Sequence, residues 1–236
     1  MNYILYTIRP GDTLYNLAMK YNTTVQDILN TNSGLSPYNL RVGSQIYIYP
    51  NTNVSNCISP NEVNLIKKMN LVWEQHIMWT RMLLISIAES LVDLDATRAR
   101  LLQIPEDIAD VFEKFYGSDI AESIQRLLTE HLEIGEKIIF ALKNNNTKLA
   151  DELNTKWYKN ADEMAEAFSS INPYYNKEDV RKMFYEHLKL TTDEVTARIR
   201  KDYKADIKAY DTVQKEILAM SQYFVDGIVR QFPNLF

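Results

Sequence analysis

A chain of 236 residues, 46% apolar and 24% charged, is long enough to bury one large core or two unequal ones, and its formal net charge of −5 excludes the basic surface that nucleic acid requires. The single cysteine, Cys57, excludes an intramolecular disulfide and a cysteine-based zinc finger. No apolar run reaches the roughly 18 residues of a helical membrane span. Met1-Asn2-Tyr3-Ile4-Leu5 has no basic segment leading into an apolar one, so synthesis in the cytosol without an export signal, and no membrane insertion, are expected.

Ile4 to Arg9 reads as a strand, rich in β-branched and aromatic residues and closed by Pro10-Gly11. Asp12 or Thr13 then caps a helix whose inner face is Leu14, Leu17, Ala18 and Tyr21. Thr24 caps a second short helix, Val25 to Asn30, with Val25, Ile28 and Leu29 inward. A polar loop from Thr31 to Asn39 leads through Leu40-Arg41-Val42-Gly43 to a second strand, Gln45 to Tyr49. Two strands far apart in sequence enclosing two helices make one small α+β unit of βααβ order over residues 1–50, near the lower size limit for a core without disulfide or metal.

The stretches Tyr6-Thr7-Ile8-Arg9-Pro10-Gly11-Asp12-Thr13-Leu14 and Leu40-Arg41-Val42-Gly43-Ser44-Gln45-Ile46-Tyr47-Ile48-Tyr49-Pro50 resemble a LysM module. That resemblance implies binding of N-acetylglucosamine polymers, peptidoglycan or a chitin-like glycan, in a groove between two loops. The matching positions are Gly11, Asp12, Thr13 and Leu14 on one side and Asn30, Thr31, Asn32, Gly34 and Leu35 on the other. Turn residues and glycines there expose backbone that an acetamido group can meet. Pro10, where a small or polar residue is common, and Ser33-Gly34, in place of a proline after Asn32, depart from the pattern. One module binds weakly, so firm retention on a wall implies several copies through homo-oligomerisation.

Residues 51–58 read as a short, uncharged linker, and residues 59–236 as an all-α, up-and-down bundle of five to six helices. Ser59-Pro60-Asn61-Glu62 is a capping box with proline at the first helical position. The helix it opens, about 60–91, carries Leu65, Met69, Val72, His76, Trp79, Leu83 and Ile87 on one stripe. Asp93 to Gln103 reads as a connection, followed by a helix from Pro105 to Gly117. Ser118 caps the next, about 119–143, with Ile120, Ile124, Leu127, His131, Ile134, Ile138 and Leu142 inward. Thr147 caps another, to about Ile171, with Leu149, Leu153, Trp157, Ala161, Met164 and Phe168 inward. Asn176 starts a helix through Val180, Phe184 and His187, and Thr191-Thr192-Asp193-Glu194 offers a capping box for a last helix to about Gln231.

The three histidines, His76, His131 and His187, fall on the apolar stripes of three helices, 55 and 56 residues apart. Three converging imidazoles could hold a divalent transition metal, with Glu130, Glu186, Asp95 or Asp162 in support. The alternative is a hydrogen-bonded polar network in the core without cofactor. A di-iron motif is excluded, because Trp73, Leu128 and Phe184 stand where Glu-x-x-His needs its carboxylate. No Gly-x-Ser-x-Gly or phosphate-binding loop is present, so catalytic residues are not assigned and binding is favoured over catalysis. The patterns Trp-Glu-Gln-His with Trp-Thr-Arg, Phe-Tyr-Gly, Glu-His-Leu and Ile-Asn-Pro, over about 65–233, resemble an all-helical family of spore-forming Gram-positive bacteria that brings no established function. Together these readings give a glycan-binding module that tethers a bundle to the cell wall or to a spore cortex built from the mother cell. Two alternatives stand beside it: a metal-binding bundle protein or enzyme delivered to the wall, and a scaffold for the assembly of spore or envelope proteins.

Overall fold

The computed structural model describes residues 3–36, 40–50 and 58–236. Residues 51–57 of the expected linker, and 37–39 of the expected loop before the second strand, lie outside the described residues. The chain divides into two compact units, Met1–Ile58 and Ser59–Phe236.

The first unit is α+β. Strands β1 (Ile4–Thr7) and β2 (Gln45–Ile48) pair antiparallel, with Ile4 opposite Ile48 and Tyr6 opposite Ile46. Alternation sends Tyr6, Ile46 and Ile48 inward, while Tyr3, Leu5 and Tyr47 stay exposed. Between the strands lie α1 (Leu14–Lys20) and α2 (Val25–Thr31). Thr13 and Thr24 cap them by accepting hydrogen bonds from the amides of Asn16 and Asp27. Leu14, Leu17, Ala18 and Ile28 complete the core with the inward strand residues. The βααβ order is therefore as expected.

The second unit is all helical among its described residues: α3 (Pro60–Glu89), α4 (Leu94–Leu101), α5 (Ile104–Tyr116), α6 (Ser118–Lys143), α7 (Thr147–Ile171), α8 (Lys177–Ile199), α9 (Tyr203–Gln231) and a terminal 3₁₀ turn, Pro233–Leu235. Sequence neighbours α6, α7, α8 and α9 pack in succession, and α3 closes the bundle by packing on α9 and on α5 and α6. The core they share runs from Leu65, Met69 and Val72 to Phe224, Val225 and Ile228.

There are seven α-helices here rather than five or six, for two local reasons. The stretch expected to connect, Asp93 to Gln103, contains α4. Only Thr97 and Leu101 of that helix are buried, so it shows no apolar stripe. The expected break at Thr191–Glu194 is the interior of α8. Thr191 and Glu194 are buried there, Glu194 pairing with Arg81 of α3, and tertiary contact carries the helix through a sequence that mimics a cap. The true break is Arg200 to Asp202, where Lys201 adopts a φ of 62° and Asp202 caps α9 through the amide of Ala205. At two other starts the cap stands one residue earlier than expected: Gly117 precedes α6, and Asn146, not Thr147, bonds the amide of Leu149. Leu149, expected inward, is 41% exposed in the first turn of α7. Gly227 has a steric role, since a Cβ there would lie 2.0 Å from the ring of Tyr175.

Candidate functional site

The turn after β1 is held by Asp12, whose carboxylate accepts from the Tyr6 hydroxyl at 2.9 Å and the Arg9 amide at 2.7 Å. The Arg9 amide, aided by Tyr6, holds the Asp12 carboxyl below the usual range, and the same bond raises the Tyr6 phenol. Gly11 follows with a φ of 85°, which a residue with a Cβ adopts only at a cost. Thr13 is occupied as a cap, and Leu14, 1% exposed, belongs to the core. Side chains 12 to 14 thus build the fold. What this loop offers outward is the backbone of Pro10 and Gly11, both exposed.

On the opposite loop the side-chain amide of Asn32 grips β2. It accepts from the Tyr47 amide at 2.8 Å and donates to the Tyr47 and Ile28 carbonyls, each at 2.7 Å. Thr31 donates to the Asp27 carbonyl, and Asn30 accepts from Gln26. Thr31, Asn32, Gly34 and Leu35 line one side of a groove whose other side is Arg41, Ser44, Gln45 and Tyr47. Asn30 and Gly11 to Leu14 are not among its lining residues. The sequence reading missed the second wall. Its signal was strand alternation, which turns Gln45 and Tyr47 outward while Ile46 and Ile48 are buried. Tyr47, 45% exposed, meets the Tyr3 ring edge-on at 5.2 Å between centroids, so the groove continues into an aromatic surface.

In the second unit the three histidines come together. They stand on α3, α6 and α8, and one ring nitrogen of each lies within 4.8 Å of the others. All three are buried, at 4–5% exposure. The Nε2 atoms of His76 and His187 are 3.3 Å apart, and His187 Nδ1 is 2.9 Å from a carboxylate oxygen of Glu216 on α9. The carboxylates expected in support lie elsewhere: Glu130 is near Asn160, Asp162 accepts from Tyr185, Asp95 pairs with Arg98, and Glu186 is exposed. Glu216 escaped notice because it is 29 residues from His187 and on another helix.

Burial, with the neighbouring imidazoles adding, pushes His76 well below its usual pKa and His131 down to about 3, the Asn160 side chain opposing for His131. Both are therefore neutral at pH 7. Trp157 packs on His131 at 5.1 Å between centroids and donates its indole N–H to the His131 carbonyl at 2.9 Å. Gly135, one turn along α6, admits that indole, because a Cβ would sit 3.2 Å from the ring. Beside the imidazoles is a cavity with about 30 Å³ of room, lined also by Thr80, Leu83, Trp157 and Thr191. Two buried hydroxyls that line it, those of Thr80 and Thr191, have no hydrogen-bond partner.

One turn beyond Thr191 lies an ion-pair network. Arg81 bonds Glu194 and, with both terminal nitrogens, Asp206 at 2.8 and 3.1 Å, and Arg198 bridges Asp206 to Glu89. Burial raises Glu194 to about 7 despite Arg81. This network ties α3, α8 and α9 together, and every member is engaged by the others.

Residues 6–48 match the LysM domain, so the first unit is a LysM domain, a class that binds peptidoglycan and related N-acetylglucosamine polymers. No match was found among curated proteins or among solved structures. The resemblance of residues 65–233 to a bacterial all-helical family is accordingly without support. Among the described residues, no helix is long and apolar enough to cross a membrane.

Proposed function

We propose that this protein attaches, through its LysM domain, to peptidoglycan or another N-acetylglucosamine polymer, and that the attachment is a non-catalytic tether for the helical unit. The observation that carries the reading is the LysM match over residues 6–48, borne by an intact βααβ core with an open groove at its second loop. Exposed loop backbone and the Tyr47 ring are suited to an acetamido sugar, which presents one amide and an apolar face. Association with the cell wall, or with a spore cortex, follows from the ligand. Homo-oligomers would supply the several modules that retention requires.

The test is sedimentation of the full chain with insoluble peptidoglycan, with and without soluble N-acetylglucosamine oligomers. The expected result is co-sedimentation that the oligomers release. Tyr47→Ala removes an exposed ring while leaving the backbone bonds to Asn32 intact, and it should weaken retention by about 1 kcal/mol, roughly fivefold. Retention that neither the oligomers nor this substitution reduces would overturn the reading.

A further inference from the structure

We propose that His76, His131 and His187 bind one divalent transition-metal ion of the zinc class, and that a further coordination position of this ion opens into the cavity beside them. The site belongs to the helical unit and stands or falls independently of glycan binding.

Distance is the first argument. Two nitrogens at about 2.0–2.1 Å from one tetrahedral ion stand about 3.3–3.4 Å apart. His76 Nε2 and His187 Nε2 are already 3.3 Å apart, and the third imidazole has a nitrogen within 4.8 Å of both ligand atoms. Binding requires the His131 side chain to close that remaining distance.

Orientation is the second. Glu216 takes the proton side of His187 Nδ1, which leaves the lone pair of Nε2 directed at the shared centre. A carboxylate behind a ligating imidazole both fixes the ring and offsets part of the charge of the ion. The donor set is three nitrogens with no cysteine and no first-rank carboxylate. That set suits zinc, cobalt, nickel or copper and disfavours magnesium and calcium, which need oxygen.

The competing account is a hydrogen-bonded chain in which His76 donates to His187 and His187 to Glu216. It satisfies two of the three rings. The hydroxyls of Thr80 and Thr191, which line the same cavity, are left buried without partners. An ion uses the third ring. A water or small oxygen ligand on its open position gives the two hydroxyls a partner, and a cavity of about 30 Å³ has room for such a molecule. A structural zinc site would be closed by a fourth side chain. Three ligands beside a cavity is the arrangement of a site that holds an exchangeable ligand.

The experiment uses the full, untagged chain, stripped by a chelator and titrated with Co²⁺ followed by Zn²⁺. The expected result is one Co²⁺ per chain, with the intense visible absorption of a four-coordinate ion, displaced by an equivalent of Zn²⁺. His131→Gln should abolish the band. Because a core substitution can impair folding, Glu216→Gln, whose parent side chain is 13% exposed, is the second variant. It should keep the helical circular dichroism and weaken the affinity about 10–100-fold. Failure of the folded wild-type chain to bind stoichiometric Co²⁺ or Zn²⁺, or an affinity unchanged in folded Glu216→Gln, overturns the proposal.

Discussion

Asp226 illustrates how one buried carboxyl sets a pH dependence. Burial in α9 raises it from 3.8 to about 6, with the amide of Gln222 and the charge of Arg230 opposing. Its pKa is higher in the folded chain than in the unfolded one, so folding takes up a proton between these values. The stabilisation is complete below pH 3.8 and is lost as pH rises through about 6. Asp226→Asn keeps the shape and the neutral state, so it should raise stability at pH 7.5 by about 1–2 kcal/mol and bring no gain at pH 3.5. Urea unfolding of both proteins at the two pH values measures this, and an equal effect at both would contradict it. Residue type alone showed that Asp12, Thr13 and Asn32 matter, because such residues turn and cap. It did not show that their side chains are consumed by that work, with Asn32 spending its amide on Tyr47 and Ile28. Exposed backbone, the outward face of β2 and the groove-lining Leu35 and Arg41 are then left for a ligand.

Helices with an apolar stripe were legible throughout the bundle, since α3, α6 and α7 bury most of the positions their spacing indicates, with Trp79, Ile120 and Leu142 only partly buried and Leu149 exposed. Two elements were not. α4 buries only Thr97 and Leu101, so its sequence has no stripe to read, and α8 runs through a false capping box because Glu194 finds Arg81. Both failures have one physical source: a helix boundary is decided by partners on other helices as well as by its own residues. Close approach is similarly silent in sequence. Gly227 lies within α9, where glycine is a weak helix former, yet Tyr175 occupies the space of its missing Cβ and donates its hydroxyl to the Phe224 carbonyl at 2.6 Å. On propensity alone Gly227→Ala should stabilise the helix. We expect it instead to destabilise the bundle by about 2–3 kcal/mol, because the Tyr175 ring must leave its buried place. Thermal unfolding followed at 222 nm decides the sign.

The division into two compact units has a consequence for how the chain responds to ligands. Among its described residues the first unit rests on a core of eight buried apolar residues, so its stability should be only about 3–5 kcal/mol. All three tryptophans, Trp73, Trp79 and Trp157, belong to the second unit. Tryptophan fluorescence therefore follows the bundle alone, while amide exchange at Ile28 and Ile48 follows the LysM core. Heating or urea should give two transitions, with the amide-detected one first. Soluble N-acetylglucosamine oligomers should shift only that first transition. Zn²⁺ at 100 times its dissociation constant should raise only the fluorescence-detected one, by about 2.7 kcal/mol. A tether requires this separation, because a module that merely attaches its cargo has no differential affinity for two states of that cargo. If the oligomers also shifted the tryptophan transition, glycan binding would be coupled to the bundle. If the oligomers also changed the Zn²⁺ affinity, Zn²⁺ would by reciprocity change glycan affinity by the same factor, and the tether would have to be replaced by an allosteric link.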